Sequence, residues 1–214
     1  MQFDLFDDEV TPILESATYN EFARRLLESD CRRCELHHNR RSIVLDRGNP
    51  EASIILIGEG PGEQEDREGK AFVGRAGKLL DEIFEENGLD TNRDVLIANV
   101  VKCRPPGNRV PATAEVQTCL PFLQKQLSLV RPRLVILLGA TALRHMAPEK
   151  KNWRMEDEAG RFFHLPSYPY AEFVVLYHTA ALLRNPRLRF PMRDHMEAVA
   201  QFIEREGLRW AGSA

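Results

Sequence analysis

The sequence predicts an α/β fold, a three-layer α/β/α sandwich around a mostly parallel four-stranded central sheet, with an N-terminal arm held to it by a metal centre. Three observations carry that expectation. Four short, β-branched apolar runs alternate along the chain with segments whose apolar residues recur at helical spacing, as in βαβ units. These runs show no polar alternation, so each is buried on both faces, as in a parallel sheet covered by helices on both sides. All four cysteines fall into two pairs, Cys31 with Cys34 and Cys103 with Cys119, and four thiolates suit one tetrahedral zinc or one iron–sulfur cluster.

The elements follow in order. Residues 1–30 form an acidic lead-in and helix, with eight Asp or Glu against Arg24 and Arg25; the whole chain has a formal net charge of −3, so the rest is mildly basic. Any nucleic-acid contact must therefore come from local patches. Residues 19–29 read as a helix with Phe22, Leu26 and Leu27 on one face. A CRRC turn and a basic loop with His37, His38, Arg40 and Arg41 come next. The first strand is expected over 53–57, ending in Gly58. A glycine-rich loop then leads to a helix over 77–87, where Leu79, Leu80, Ile83 and Phe84 make one stripe and Gly88 a stop.

The second strand is expected over 95–101, placing Asn99 at its middle. Residues 115–130 read as helical, with Pro121 a kink or restart. A third strand over 134–138, a short helix over 140–146 and a fourth strand over 173–177 follow. The closing helix turns Met196, Val199, Phe202 and Ile203 to the core, and 206–214 form a tail. The linkers are too short for independent units, so one domain is expected in a chain of 214 residues that are 43% hydrophobic. No apolar run approaches the roughly 18 residues that cross a bilayer. The opening MQFDLFDD does not resemble a signal peptide. The expectation is a cytoplasmic monomer without membrane contact, a setting that disfavours structural disulfides.

In such a sheet ligands sit beyond the carboxyl ends of the strands. Three strand ends carry notable sequences: GEGPG at 58–62, NVVKC at 99–103 and HTAALLRNP at 178–186. Gly58, Gly60 and Gly62, with Pro61 between the last two, can bring backbone close to a ligand. No Gly-Lys-Ser/Thr follows, so this is no phosphate loop. The carboxylates Glu59, Glu63, Glu65 and Asp66 would repel phosphate, yet can orient a water or serve as a base; a solvated acidic turn is the plainer reading. Phe72, flanked by glycines, suits a stacking platform or a core position. Asn99 offers a donor and an acceptor side by side, matching the edge of a base, or bonds nearby backbone. Asn108 lies in a turn, and His178 directly follows an apolar strand. Residues 184–193 hold four arginines and no acid until position 194, and with Leu182 and Leu183 they join phosphate-binding charge to an apolar wedge.

Taken in order, CRRC, GEGPGEQED, GKAFVGRAGKLL, IANVVKCRPPGNR, Cys119 and YHTAALLRNP resemble the iron–sulfur branch, family 4, of the uracil-DNA glycosylase superfamily. The resemblance covers residues 31–205 as a single uracil-DNA glycosylase-like domain with a cluster-bound N-terminal arm. It implies a DNA repair enzyme that flips uracil out of DNA and hydrolyses its N-glycosidic bond, leaving an abasic site. By the same resemblance Cys31, Cys34, Cys103 and Cys119 hold a [4Fe–4S] cluster, Phe72 stacks on uracil and Asn99 reads its edge. His178 stabilises the departing anion, Leu182 fills the gap in the DNA stack, and Arg184 and Arg187 contact DNA. The loop 58–62 prepares the water, with Glu59 or, preferred, Glu65 holding it, and Asn108 supports the site.

Two departures stand out. Thr179 replaces the proline that follows the motif histidine in the family, which should loosen the turn aiming His178. Gly60 lies where family 1 has an aspartate. The arginine-rich insertion of covalent uracil-trapping relatives is absent, so turnover is expected. Two other classes remain open on sequence: a non-catalytic nucleic-acid-binding relative, and a zinc-stabilised enzyme acting on free nucleosides or nucleotides.

Overall fold

The computed structural model describes residues 10–209, so the first nine residues of the acidic lead-in and the last five of the tail lie outside the described residues. Helices α1 (Thr11–Leu14) and α2 (Tyr19–Glu28) open the described chain. Thr18 caps α2 by accepting from the Glu21 N–H, while the Glu21 carboxylate accepts from the Ala17 N–H, so local side chains satisfy donors at the helix start. Then come β1 (Asp46–Gly48), β2 (Ile54–Gly58), α3 (Glu63–Glu68), α4 (Arg75–Glu86) and β3 (Leu96–Asn99). The chain continues through α5 (Thr113–Val130), β4 (Leu134–Leu138), α6 (Gly139–Met146), α7 (Met155–Glu158) and β5 (Phe162–His164). It closes with β6 (Glu172–Leu176), α8 (Thr179–Arg184) and α9 (Arg189–Arg205).

The sheet has six strands in the order β1-β3-β2-β4-β6-β5, two more than expected. The four inner strands are parallel, as their apolar runs predict. The added edges, β1 and β5, are antiparallel and only three residues long, too short for the apolar alternation that reveals a strand. Alternate residues of each inner strand enter two separate cores. Ile55, Ile57, Val135, Leu137, Phe173 and Val175 pack with residues of α1, α2, α5 and α6. Ile54, Leu56, Leu134, Ile136, Val174 and Leu176 pack with residues of α4, α8 and α9. Helix α5 runs from Thr113 through Pro121 to Val130 as one helix, so Pro121 does not restart it. The register sets Gly58 opposite Asn99 and Leu138 opposite Leu176, so the inner strands end along one edge.

Candidate active site and cysteine cluster

A cleft of about 720 Å³ opens at that edge, within the range usual for ligand sites. Asn99 lies at the end of β3, not at its middle, which puts its amide at the cleft floor. It is buried, and its Oδ1 has no hydrogen-bond partner among the described residues. An unmatched buried acceptor costs about 1–3 kcal/mol, so a site that keeps one is set up to receive a donor. Beside it lies Phe72, buried and at φ 53°, a left-handed backbone that non-glycine residues seldom adopt. Gly77 makes that turn possible, since a Cβ there would stand 1.8 Å from the Phe72 carbonyl oxygen. Gly58 lies beneath both side chains: its Cβ would come within 2.5 Å of Asn99 Oδ1.

His178 caps α8, and its Nδ1 accepts the Ala180 N–H at 3.1 Å. With Nδ1 accepting, a neutral imidazole carries its proton on Nε2. Burial pushes its pKa down to about 4, helped by the nearby Arg184 cation, so the ring is neutral at physiological pH. Its ring stacks near that of Phe72, with centroids 5.5 Å apart. Gly139, at φ 86°, passes close below, where a Cβ would press on that of His178 at 3.0 Å. The Thr179 hydroxyl donates to the Ala76 carbonyl at 2.7 Å.

Around the cleft stand Glu59, Gly60, Gly62, Glu65, Asn108, Leu183 and Arg184, together with Thr141 and Val110, which the motifs did not single out. Thr141 donates its hydroxyl to Glu59. Glu65 accepts the Gly74 N–H at 2.8 Å and crowds the open side of Gly62, so this carboxylate ties two loops together. Asn108, at φ 55°, turns its side-chain oxygen to Arg104 at 2.8 Å. Pro61 is buried outside the cleft lining, and Arg187 is exposed on the turn beyond it.

One expectation needs correcting. Leu182 is fully buried in the core, with the α4 and α9 side chains, a position that does not suit a residue entering a DNA stack. Leu183, 37% exposed, lines the cleft in its place. The motif spacing marked the fourth residue after the histidine. Helical parity sends that residue inward with Thr179, one turn earlier, and its neighbour outward.

The four cysteines, far apart in sequence, line one small cavity with Leu26, Arg33, Arg40, Ile43, Lys102 and Phe122. Cys103 and Cys119 are buried and Cys31 and Cys34 half-buried. Arg40 Nη1 lies 3.5 Å from Cys103 Sγ, and the Lys102 N–H donates to Cys119 Sγ at 3.3 Å. Burial pushes the thiol of Cys103 up to about 11 and that of Cys119 up to about 12. Among the described residues, no three His, Cys, Asp or Glu side chains converge closely enough to hold a single metal ion.

Comparison with known proteins agrees with this geometry. A family model described as the Uracil DNA glycosylase superfamily matches residues 45–203. A type-4 uracil-DNA glycosylase of Thermotoga maritima is 40% identical over 179 residues, which span 83% of this chain and 91% of the relative. One of Saccharolobus solfataricus is 40% identical over 177 residues, 81% and 82% of the two chains. One of Sulfurisphaera tokodaii is 36% identical over 175 residues, 80% and 79%. The chain thus belongs to the uracil-DNA glycosylase superfamily. Within it, the chain falls in the type-4 branch.

No helix among the described residues is long and apolar enough to cross a membrane.

Proposed function

We propose that the protein is a monofunctional uracil-DNA glycosylase that flips uracil from DNA and hydrolyses its N-glycosidic bond. The observation that carries this reading is the buried, unpartnered Oδ1 of Asn99 beside the Phe72 ring. Uracil presents N3–H next to O4, so its edge gives that oxygen a donor while O4 accepts from the amide nitrogen. Cytosine presents the reverse pair and leaves like facing like. The flipped base lies against Phe72, its O2 toward His178 Nε2–H.

Breaking C1′–N1 sends the bonding pair to the base and leaves an oxocarbenium-like sugar. A donor held ready for the resulting anion lowers the barrier without reorganising. The neutral His178, its proton fixed on Nε2, fits that task. Water adds to C1′ and gives its proton to Glu59, which Thr141 holds at the cleft wall. Glu65 is assigned to the loop, since its carboxylate is already committed to Gly74. Leu183 enters the stack vacated by the base, and Arg184 and Arg187 meet phosphates.

Cys31, Cys34, Cys103 and Cys119 suit a [4Fe–4S] cluster: four thiols line one shared cavity, with the Arg40 cation beside Cys103. When bound, it would cross-link the arm to the body and take no part in hydrolysis. The test of function is an oligonucleotide carrying one uracil, incubated with the protein and treated with alkali. Strand breakage at that position is expected, and intact strands at enzyme excess would refute the reading. Salt-sensitive binding without release would instead favour a non-catalytic relative.

A further inference from the structure

We propose that Thr179 is a positioning residue, whose hydroxyl locks the His178 imidazole in place against the Phe72 loop. The inference rests on the reading of the cleft given above and adds to it a residue that never touches substrate. Thr179 is the first residue of α8 and fully buried, and its Oγ1 donates to the Ala76 carbonyl at 2.7 Å. Ala76 belongs to the first turn of α4 and directly precedes Gly77, whose backbone buttresses the left-handed turn at Phe72. One hydrogen bond therefore joins two loops that arrive from opposite parts of the chain, 103 residues apart.

Those loops carry the two rings whose separation sets the site. Helix α8 has only six residues; Leu182 seats it in the core, and its first turn is further held by two side-chain hydrogen bonds, His178 on Ala180 and Thr179 on Ala76. Removing the second leaves His178 to cap a short helix that can rock about its ends. A displacement near 1 Å can cost about 100-fold in rate, because the donor must meet the anion as it forms.

The test compares Thr179→Val, which keeps the shape and loses the donor, with Thr179→Ser, which keeps the donor and loses the methyl. Thermal melts check that each variant is folded, and Thr179→Ala serves if the valine form is not. On single-uracil DNA, the donor-less variant should lose roughly 10- to 100-fold in kcat with KM changed less than about 3-fold, and serine should restore kcat to within about 3-fold. NMR titration of His178 supplies a readout independent of activity. The charged and titratable groups that line the cleft with it (Glu59, Glu63, Glu65, Arg75, Tyr177 and Arg184) are unchanged in every variant. His178 should titrate at higher pH in the valine form than in the wild type, and serine should reverse the shift. Equal kcat and equal titration in wild type and valine variant would overturn the proposal, as would a serine variant as impaired as valine. Failure of wild-type enzyme to release uracil would refute the glycosylase reading alone, leaving the titration to decide this one.

Discussion

Phe72 rests its ring on the bare backbone of Gly58, where a Cβ would stand 2.6 Å from the ring's Cζ. The same added carbon would strike the Asn99 amide, so one glycine sets the position of both groups that would hold a flat base. Gly58→Ala should therefore push the ring and amide out of line. The expected result is a loss of about 100-fold or more in kcat/KM for uracil release, with overpacking costing about 1–3 kcal/mol in stability by denaturant melts.

His178 gives a rate prediction and a pH prediction. His178→Ala should lower kcat by about 10²- to 10³-fold while leaving DNA binding nearly intact, as measured by single-turnover kinetics and a binding titration. Its native pKa of about 4 lies below its ordinary value of 6.5. Between those values the unfolded chain binds a proton that the native protein does not. Stability should accordingly fall as pH drops from about 6.5 toward 4, and the part of that slope due to His178 should vanish in the alanine variant. The contribution of His178 to activity should hold across the same window, since the native ring stays neutral until pH nears 4.

The adjacent leucines separate stability from DNA engagement. Leu182→Ala should cost about 2–5 kcal/mol in denaturant unfolding, because its side chain is fully buried. Leu183→Ala should change stability by less than about 0.5 kcal/mol, given its exposure at the cleft mouth. It should nonetheless lower kcat/KM on duplex DNA more than on single strands, where no stack needs filling. Equal effects on both substrates would argue against a wedge.

Asn99→Asp removes the donor that would meet uracil O4 and places a negative charge beside it. Uracil release should fall by about 10²- to 10⁴-fold, measured as kcat/KM on the single-uracil strand. Because residue 99 is buried, the new carboxylate should also cost stability, read by denaturant melts beside the kinetics.

The cysteine cavity predicts a coloured protein whose visible absorption bleaches on oxidation. Loss of the cluster should lower the melting temperature, because the link between the arm and the body is lost. Cys119→Ser, deep beside Lys102, should give colourless protein of reduced stability. A colourless wild type purified without oxygen, with zinc at one equivalent, would reverse the assignment.

Much of the architecture was legible because burial leaves a residue-level mark. Two-sided burial left apolar runs that placed strands at 53–57, 134–138 and 173–177, each within a residue of β2, β4 and β6, and amphipathic spacing located α4 and α9. The edge strands Asp46–Gly48 and Phe162–His164 left no such mark, being short and half exposed. Their pairing depends on neighbours already in place.

The site divides the same way. Residue type raised Phe72, Asn99, His178 and the four cysteines as candidates while leaving plainer readings open, and only their order and spacing, through the family resemblance, gave them roles. Thr141 bore no signal and Thr179 showed only as a departure from the family's proline, because a threonine hydroxyl gains meaning only from the carboxylate or carbonyl set against it across 82 or 103 residues. That Leu182 is buried while Leu183 faces the cleft likewise turned on a helix phase fixed by packing against α4 and α9. Sequence determined which chemical groups this protein possesses and the periodicity that folds them. Tertiary structure alone decided which face each one shows, because direction arises from contacts between segments that no local stretch encodes.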